Sequence, residues 1–305
     1  MELLVLICFF VKKLLEITGS VNLPDFNLTI DSGNLYSTTQ NEVEENFFPG
    51  SIKKASFLTA LTRFLMFEIE KIDPKRYFPL VLSLYSSLEG KHILIALNDK
   101  DASKFISNLG YSGNLDLAIG CGLRCLTSAY ALVDANVGVN KANFFINRSQ
   151  DLKIIVGDQG VSNLLVATYE NKAKKGVGAT GIYKTYTRVV LPKTAIVEGV
   201  RIYSADGSYQ DVAFDSLQKA DLLEIGFLME VLPESLKKVQ IEWKIPSDVL
   251  LSGGELRVKS IKQPGTEGDN LRISVESNNL SLTGGLPNIY NTALDKDIVQ
   301  KFFFR

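Results

Sequence analysis

Residues Tyr130 to Arg148 read Tyr-Ala-Leu-Val-Asp-Ala-Asn-Val-Gly-Val-Asn-Lys-Ala-Asn-Phe-Phe-Ile-Asn-Arg. An apolar strand, Tyr130 to Val133, runs into a polar knot of Asp134, Asn136, Gly138, Asn140 and Lys141. A second strand-like run, Asn143 to Ile146, leaves it. Upstream the pattern mixes helix and strand; downstream the apolar period falls to two, the period of a half-buried strand. The stretch therefore divides the chain into an α/β layer domain over 1–142 and an all-β domain over 143–305, an α+β protein overall.

Upstream, Leu3 to Val11 is an apolar run followed by Lys12 and Lys13. It is too short to span a bilayer and lacks the basic start and small-residue cleavage site of a signal peptide. A strand feeding a helix fits it better, with Val11, Leu14 and Leu15 on one helical side and Gly19 as the stop. Asp31 is placed to cap a helix running to about Asn46. Ser51 is placed to cap a longer one, where Ile52, Ala55, Leu58, Leu61, Leu65, Ile69 and Ile72 recur at helical spacing. A further helix covers Tyr77 to Leu88. Lys91 to Asn98 reads as a strand buried on both faces, because His92 is followed by an unbroken apolar run. Asp99 caps a helix to Leu109, closed by Gly110. Tyr111 to Ser128 shows little pattern and reads as a connection.

Downstream, the expected strands are Leu152–Val156, Asn163–Glu170, Tyr183–Leu191, Ala195–Tyr203, Leu222–Val231, Lys238–Ile245, Glu255–Lys262 and Leu271–Glu276. Asp158-Gln159-Gly160, Asp206-Gly207 and Ser252-Gly253-Gly254 supply turns between them. Short strands in this number with hardly any helix predict an Ig-like β-sandwich. Lys172 to Gly181 is a basic, glycine-rich excursion. The aromatic tail Phe302-Phe-Phe304 is placed either to dock on the sandwich or to stay exposed as a sticky patch.

The 33 basic and 34 acidic side chains leave a net charge of −1. Without an excess of positive charge the chain has no electrostatic hold on phosphate backbones, so nucleic acid is not an expected partner. Three cysteines are too few for a disulfide scaffold. Cys121 and Cys125, if on one helix, would share a face but point poorly for a bridge. Sparse cysteines usually pack as small apolar residues, and that is the expectation for Cys8 and for this pair.

The candidate site residues are few. Asp134, Asn136 and Asn140 could give oxygen ligands to a hard cation. However, Gly138 sits one place too early for an EF-hand and no bidentate glutamate follows at the needed distance. A turn whose side chains bond the local backbone is the commoner outcome for such residues. Lys141 could meet an anion or form an ion pair. His92 is the only histidine; at the head of a strand it reads as a hydrogen-bonded strand end rather than a general base. Arg188 alternates with apolar neighbours, so it should project from a sheet face or pair with a carboxylate there.

Several stretches resemble the domain-of-unknown-function 4012 family of bacterial envelope proteins. They are Val11-Lys-Lys-Leu-Leu-Glu-Ile-Thr-Gly19, Lys91-His92 with its strand, Asp134-Ala-Asn-Val-Gly-Val-Asn-Lys141, Tyr186-Thr-Arg-Val-Val-Leu-Pro-Lys193 and Lys262-Gln-Pro-Gly-Thr266. They occur in the family's order and cover nearly the whole chain. The resemblance implies a membrane-associated protein folded outside the cytoplasm, in the cell envelope. It also implies that this sequence starts inside the family's domain, with a membrane anchor upstream.

In the α/β part, a helix ending in Leu14-Leu-Glu-Ile-Thr-Gly19, the extended Val21–Pro24, a further helix and a basic pair before a long helix together resemble the LytR-CpsA-Psr phosphotransferases, which move glycopolymers from a lipid pyrophosphate to the cell wall. Those enzymes grip the diphosphate with closely spaced arginines, whose paired donors match its oxygens. The comparable stretch here is Gln40-Asn-Glu-Val-Glu-Glu45, whose three carboxylates would repel it. Lys53 and Lys54, with Arg63 further on, are the remaining positive charges. The favoured expectation is therefore a non-catalytic binding or structural module that contacts cell-wall glycan or another surface protein and needs no cofactor. The alternative is a divergent phosphotransferase acting on lipid-linked glycopolymer with Mg²⁺.

Overall fold

The computed structural model describes residues 3–6, 8–40, 42, 53–138, 140, 142–174, 181–204, 207–249, 253–277, 281–282 and 288–305; the side chains of 3–6, 8, 40 and 53–55 are outside the description. Two compact units emerge. One holds Met1–Asn114 with Pro264–Glu267; the other holds Leu115–Gln263 with Gly268–Arg305. Strand dominates the chain, and its class is α+β.

In the first unit β1 (Leu3–Leu6) leads into α1 (Cys8–Thr18), as the apolar start followed by helical spacing predicts. The hairpin β2 (Val21–Leu23) and β3 (Leu28–Ile30) follows. Then come α2 (Leu35–Gln40), α3 (Lys53–Glu70) and α4 (Tyr77–Glu89). Asp31 accepts from the backbone N–H of Gly33 and Asn34 ahead of α2. The expected continuation of α2 to Asn46 and the Ser51 cap fall outside the described residues. Leu15, Val21, Leu23, Ile30, Phe57, Leu61 and Leu65 close a small core between α1, the hairpin and α3. Helix α4 turns Leu80 and Leu88 toward Phe10, Leu14 and Ile93. It leaves Phe78, Val81, Leu82 and Tyr85 at least half exposed on its other side.

The sequence reading of Lys91–Asn98 needs correction. Only β4 (Ile93–Ala96) is strand; it pairs antiparallel with β1, and its burial fades from Ile93 to an exposed Ala96. The strand is half-buried rather than covered on both faces, because in the described residues it belongs to a two-stranded sheet. Asp99 then caps α5 (Lys100–Asn108) by accepting from the Ala102 N–H at 2.8 Å.

The second unit is built from β5 (Cys125–Asn136), β6 (Ile146–Gly157), β7 (Gly160–Asn171), β8 (Tyr183–Pro192) and β9 (Ile196–Tyr203). Two short strands follow, β10 (Tyr209–Asp211) and β11 (Asp215–Lys219). Then come β12 (Leu222–Val231), β13 (Ser235–Pro246), β14 (Glu255–Ile261), β15 (Asp269–Ser277), β16 (Ile289–Leu294) and β17 (Ile298–Phe303). They form a seven-stranded sheet, β10-β9-β13-β7-β6-β15-β16, and a six-stranded sheet, β11-β12-β8-β5-β14-β17. The inward alternate residues of both sheets meet in one core that includes Tyr130, Ile154, Tyr169, Val189, Phe227 and Trp243. Phe302 and Phe304 enter this core while Phe303 points out, so the aromatic tail is docked.

Strand β5 belongs to this unit, where it pairs with β8 and β14. The unit boundary therefore falls between Asn114 and Leu115, earlier than the 142/143 division drawn from the change of period. The reason lies in two arches. β5 passes into β6, and β14 into β15, each crossing from one sheet to the other. The second arch lies parallel on the first, β14 along β5 and β15 along β6. A chain break at 142 would cut the first arch in half.

The connection before β5 also departs from the sequence reading. Residues 115–120 are extended, with Leu115, Leu117 and Ile119 turned onto the outer face of the six-stranded sheet against Ala129, Ala131, Val190 and Ile261. This strap explains why β5 is buried on both faces. Lys259 Nζ donates to the Ala118 carbonyl at 3.0 Å, and Arg257 donates to that of Gly120. Cys121 and Cys125 are joined in a disulfide, with Cα atoms 5.6 Å apart. Their expected role as separate apolar residues is thus corrected. Cys121 lies in irregular chain ahead of the Leu123–Arg124 turn and Cys125 opens β5, so they are not on one helix and the turn brings the thiols within bridging reach.

Candidate functional site

The polar knot resolves into two different things. Asn136 and Asn140 hold the local backbone: Asn136 Oδ1 accepts from Gly138 N–H at 2.9 Å and its Nδ2 donates to the Asn140 carbonyl at 2.7 Å. Asn140 accepts from Ala142 N–H and donates to the Ile182 carbonyl, tying the knot to the chain before β8. Their oxygens are thus committed to a turn. Lys141 lies outside the described residues. Among the described residues no group of three or more His, Cys, Asp or Glu side chains stands close enough to hold a metal ion.

Asp134 behaves otherwise. It ends the inward row Leu126, Ser128, Tyr130, Leu132 of β5, and its side chain is 8% exposed. Arg148 bridges it to Asp269, with Nε 2.7 Å from the Asp269 carboxylate. Asp134 Oδ1 also accepts from Tyr169 and Thr187 hydroxyls at 3.1 and 2.7 Å. Gln150 donates to Asp269 and accepts from Tyr130 at 2.7 Å. Gln263 accepts from Asp134 N–H and donates to the Asp134 carbonyl at 2.9 Å. Burial alone would lower the Arg148 pKa, but the fields of Asp134 and Asp269 overcome it and hold the guanidinium firmly charged. Burial, reinforced by Asp134, raises the Tyr169 and Tyr183 hydroxyls far above their ordinary range. The network clamps the two arches together: Asp134 and Arg148 lie on either side of the first crossing, Gln263 and Asp269 on either side of the second. Its one guanidinium is taken up by two carboxylates and presents nothing to a substrate.

Arg148, Asp269 and Gln150 were missed as a set in the sequence, although a signal existed. Arg148 and Gln150 keep the inward phase of Leu152 and Ile154, and Asp269 keeps that of Leu271 and Ile273. A charge in phase with a buried stripe must find a partner there.

Of the other expected residues, His92 is buried beside the Phe9 ring, centroids 5.0 Å apart. It stands in the first unit, just before β4. Lys53 and Lys54 open α3, but their side chains are outside the description, as are Glu44 and Glu45 of the acidic run. Arg188 projects from the outer face of the six-stranded sheet, 3.7 Å from Glu224.

Arg188 stands at a surface site that the sequence did not disclose. Register places Asp215 opposite Gly226, and Gly226 opposite Arg188, in one row across β11, β12 and β8. Asp215 and Arg188 are thus about 10 Å apart with a glycine between them. The missing side chain makes a floor over which Tyr186 lies: a Cβ at Gly226 would meet the Tyr186 hydroxyl at 2.2 Å. That hydroxyl donates to Asp215 at 3.1 Å. Partial burial, then the hydrogen bond to Asp215, raises its pKa. Val212, Ala213, Phe214, Phe227 and Leu228 complete an open groove of about 290 Å³. Chemically it offers an aromatic face, a carboxylate and a nearby guanidinium. No nucleophile and base stand together in it.

No protein-family model matches the chain, and no curated protein matches it. Solved structures give partial likenesses. A candidate nutrient-binding protein from Legionella pneumophila is 10% identical with a TM-score of 0.36, over 59% of this chain and 72% of that one. An M1 zinc metallopeptidase from Deinococcus radiodurans is 15% identical with a TM-score of 0.27, over 52% of this chain and 38% of that one. The native leukotriene A4 hydrolase of Saccharomyces cerevisiae is 12% identical with a TM-score of 0.30, over 54% of this chain and 30% of that one. This chain thus spans well under half the length of the two enzymes, and likenesses of this depth carry no argument about function.

Proposed function

We propose that the protein is a non-catalytic binding module of the bacterial cell envelope, and that the groove over Gly226 takes a cell-wall glycan. The proposal carries with it the sequence-based expectation of an α/β layer akin to the LytR-CpsA-Psr enzymes and an Ig-like sandwich. The row Asp215–Gly226–Arg188 with Tyr186 laid across it is the observation that carries the reading. A sugar ring presents C–H faces suited to an aromatic surface and hydroxyls suited to carboxylate and guanidinium. A concave site with an apolar wall and a few convergent polar groups is the usual form of a small-ligand site. Around the groove one guanidinium, Arg188, stands with two carboxylates, Glu224 at 3.7 Å and Asp215 two strands away in its own row, which favours a neutral glycan over a phosphate-bearing one. The Cys121–Cys125 disulfide fits an oxidising compartment.

The test is titration calorimetry with a neutral N-acetylglucosamine oligomer, alongside a polyphosphate of similar length. Binding of the neutral oligomer at the groove is expected, weakened at least about tenfold by Asp215→Ala and so lost from the titration. The reading fails if polyphosphate binds in its place, or if Asp215→Ala leaves the affinity unchanged.

A further inference from the structure

The segment that closes one edge of the sandwich serves both of its faces. β10 contributes Tyr209 and Asp211 to the outer face of the seven-stranded sheet. The chain then crosses the edge through Val212, Ala213 and Phe214 and delivers Asp215 to the outer face of the six-stranded sheet. Four peptide steps limit the separation of the Asp211 and Asp215 backbones to about 14 Å. The crossing is held in place: Val212 N–H donates to the Val200 carbonyl at 2.9 Å, and Val212 and Phe214 pack against the core.

On the seven-stranded face, Asp211, Arg201 and Gln240 stand in a row across β10, β9 and β13, next to the row of Tyr209 and Tyr203. Arg201 donates to Asp211 at 3.1 Å and to Glu242 at 2.7 Å. Gln240 donates to Glu242 and accepts from the Tyr203 hydroxyl at 3.0 Å. The Tyr203 and Tyr209 rings lie 5.5 Å apart, and the Arg201 guanidinium is 5.5 Å from the centre of the Tyr209 ring. These contacts orient Arg201, Gln240 and Glu242 while Tyr209 remains 58% exposed. A preset aromatic platform edged by oriented donors and acceptors loses little freedom when a ligand arrives. Again one guanidinium faces two carboxylates, so this surface matches the groove in ligand chemistry: an aromatic face, hydroxyl-directed polar groups and a slight negative excess.

We propose that the Tyr203–Tyr209 platform with Arg201, Asp211, Gln240 and Glu242 is a second glycan site, and that the protein bridges two neutral glycan strands, one on each face of the sandwich. The proposal rests on the groove reading above. The two sites lie on opposite faces and the joining segment is anchored through Val212 and Phe214, so occupancy of one leaves the other open, and a long polymer is cross-linked through pairs of sites.

The experiment is calorimetry of the whole chain with a short neutral N-acetylglucosamine oligomer, together with light scattering of a long soluble polymer of the same sugar. Two oligomers per chain are expected. Tyr209→Ala, an exposed position whose loss spares the core, should reduce this to one and abolish polymer cross-linking. Asp215→Ala should likewise leave one, and the double variant none. One oligomer per chain, lost in Asp215→Ala and untouched by Tyr209→Ala, would overturn the second site and leave the first standing. Absence of binding to any form would overturn both.

Discussion

Replacing Arg148 with methionine keeps most of the aliphatic stem and removes the guanidinium from between two carboxylates. Asp134 and Asp269 are 8% and 7% exposed, so water cannot substitute for the lost partner. Breaking one side of a buried pair costs about 3–5 kcal/mol. The lower part of that range is expected, because Tyr169 and Thr187 still donate to Asp134 and Gln150 still donates to Asp269. In a unit of this size that corresponds to a fall in Tm of roughly 10 °C. Trp243 is the one tryptophan and lies fully buried in the same core. Its fluorescence during urea unfolding therefore reports this unit alone. Adding Asp134→Asn and Asp269→Asn to Arg148→Met should recover more than half of the loss, since the unpaired charges are then gone. A loss under about 1 kcal/mol, or a triple variant no better than the single, would refute the view that charge pairing closes the two arches.

Reducing the Cys121–Cys125 bridge frees a five-residue loop and should cost about 2 kcal/mol by the loop-entropy relation. Amide exchange should then quicken first along Leu115–Ile119; unchanged exchange there would show that Arg257 and Lys259 hold the strap alone. Gly160 has φ +120°, and a Cβ there would lie 2.2 Å from the Ile245 carbonyl oxygen. Gly160→Ala should thus destabilise the protein by at least about 2 kcal/mol in urea unfolding, because backbone rather than a side-chain end blocks it. Burial and Glu89 push the Tyr111 hydroxyl up to about 12, and burial likewise raises Tyr130, Tyr169 and Tyr183. The folded state then keeps protons that unfolded tyrosines release near pH 10, so stability should be intact below about pH 10 and fall as pH rises toward 12. Tyrosinate absorbance that rises fully at pH 10 without loss of fold would contradict this burial.

The long inner strands were legible because their side chains alternate between core and solvent. Leu222–Val231 matches its observed limits, and β7, β8 and β13 lie within three residues of theirs, whereas β6 starts six residues before the expected Leu152. β10, β11, β16 and β17 were not read. The three residues of β10 and the five of β11 are all exposed, so no alternation marks them. Those edge strands carry Tyr209, Asp211 and Asp215, so both surface sites stayed hidden with them. Arg188 was read correctly as a sheet-face residue, yet its row with Gly226 and Asp215 depends on register between strands far apart in the chain.

The sequence by itself determined the α+β class, the strand-rich character of the second half and the helix start at Asp99, and it favoured a turn at Asn136 and Asn140. These are local: a few neighbouring residues settle each. Tertiary structure decided that β5 belongs to the sandwich, that Cys121 meets Cys125, and that Asp134, Arg148 and Asp269 share one buried network. Each of these needs a parallel pairing or a crossing between residues more than a hundred positions apart, or a bend that no periodicity encodes. A linear pattern states which face a side chain takes; only the folded chain states what it meets there.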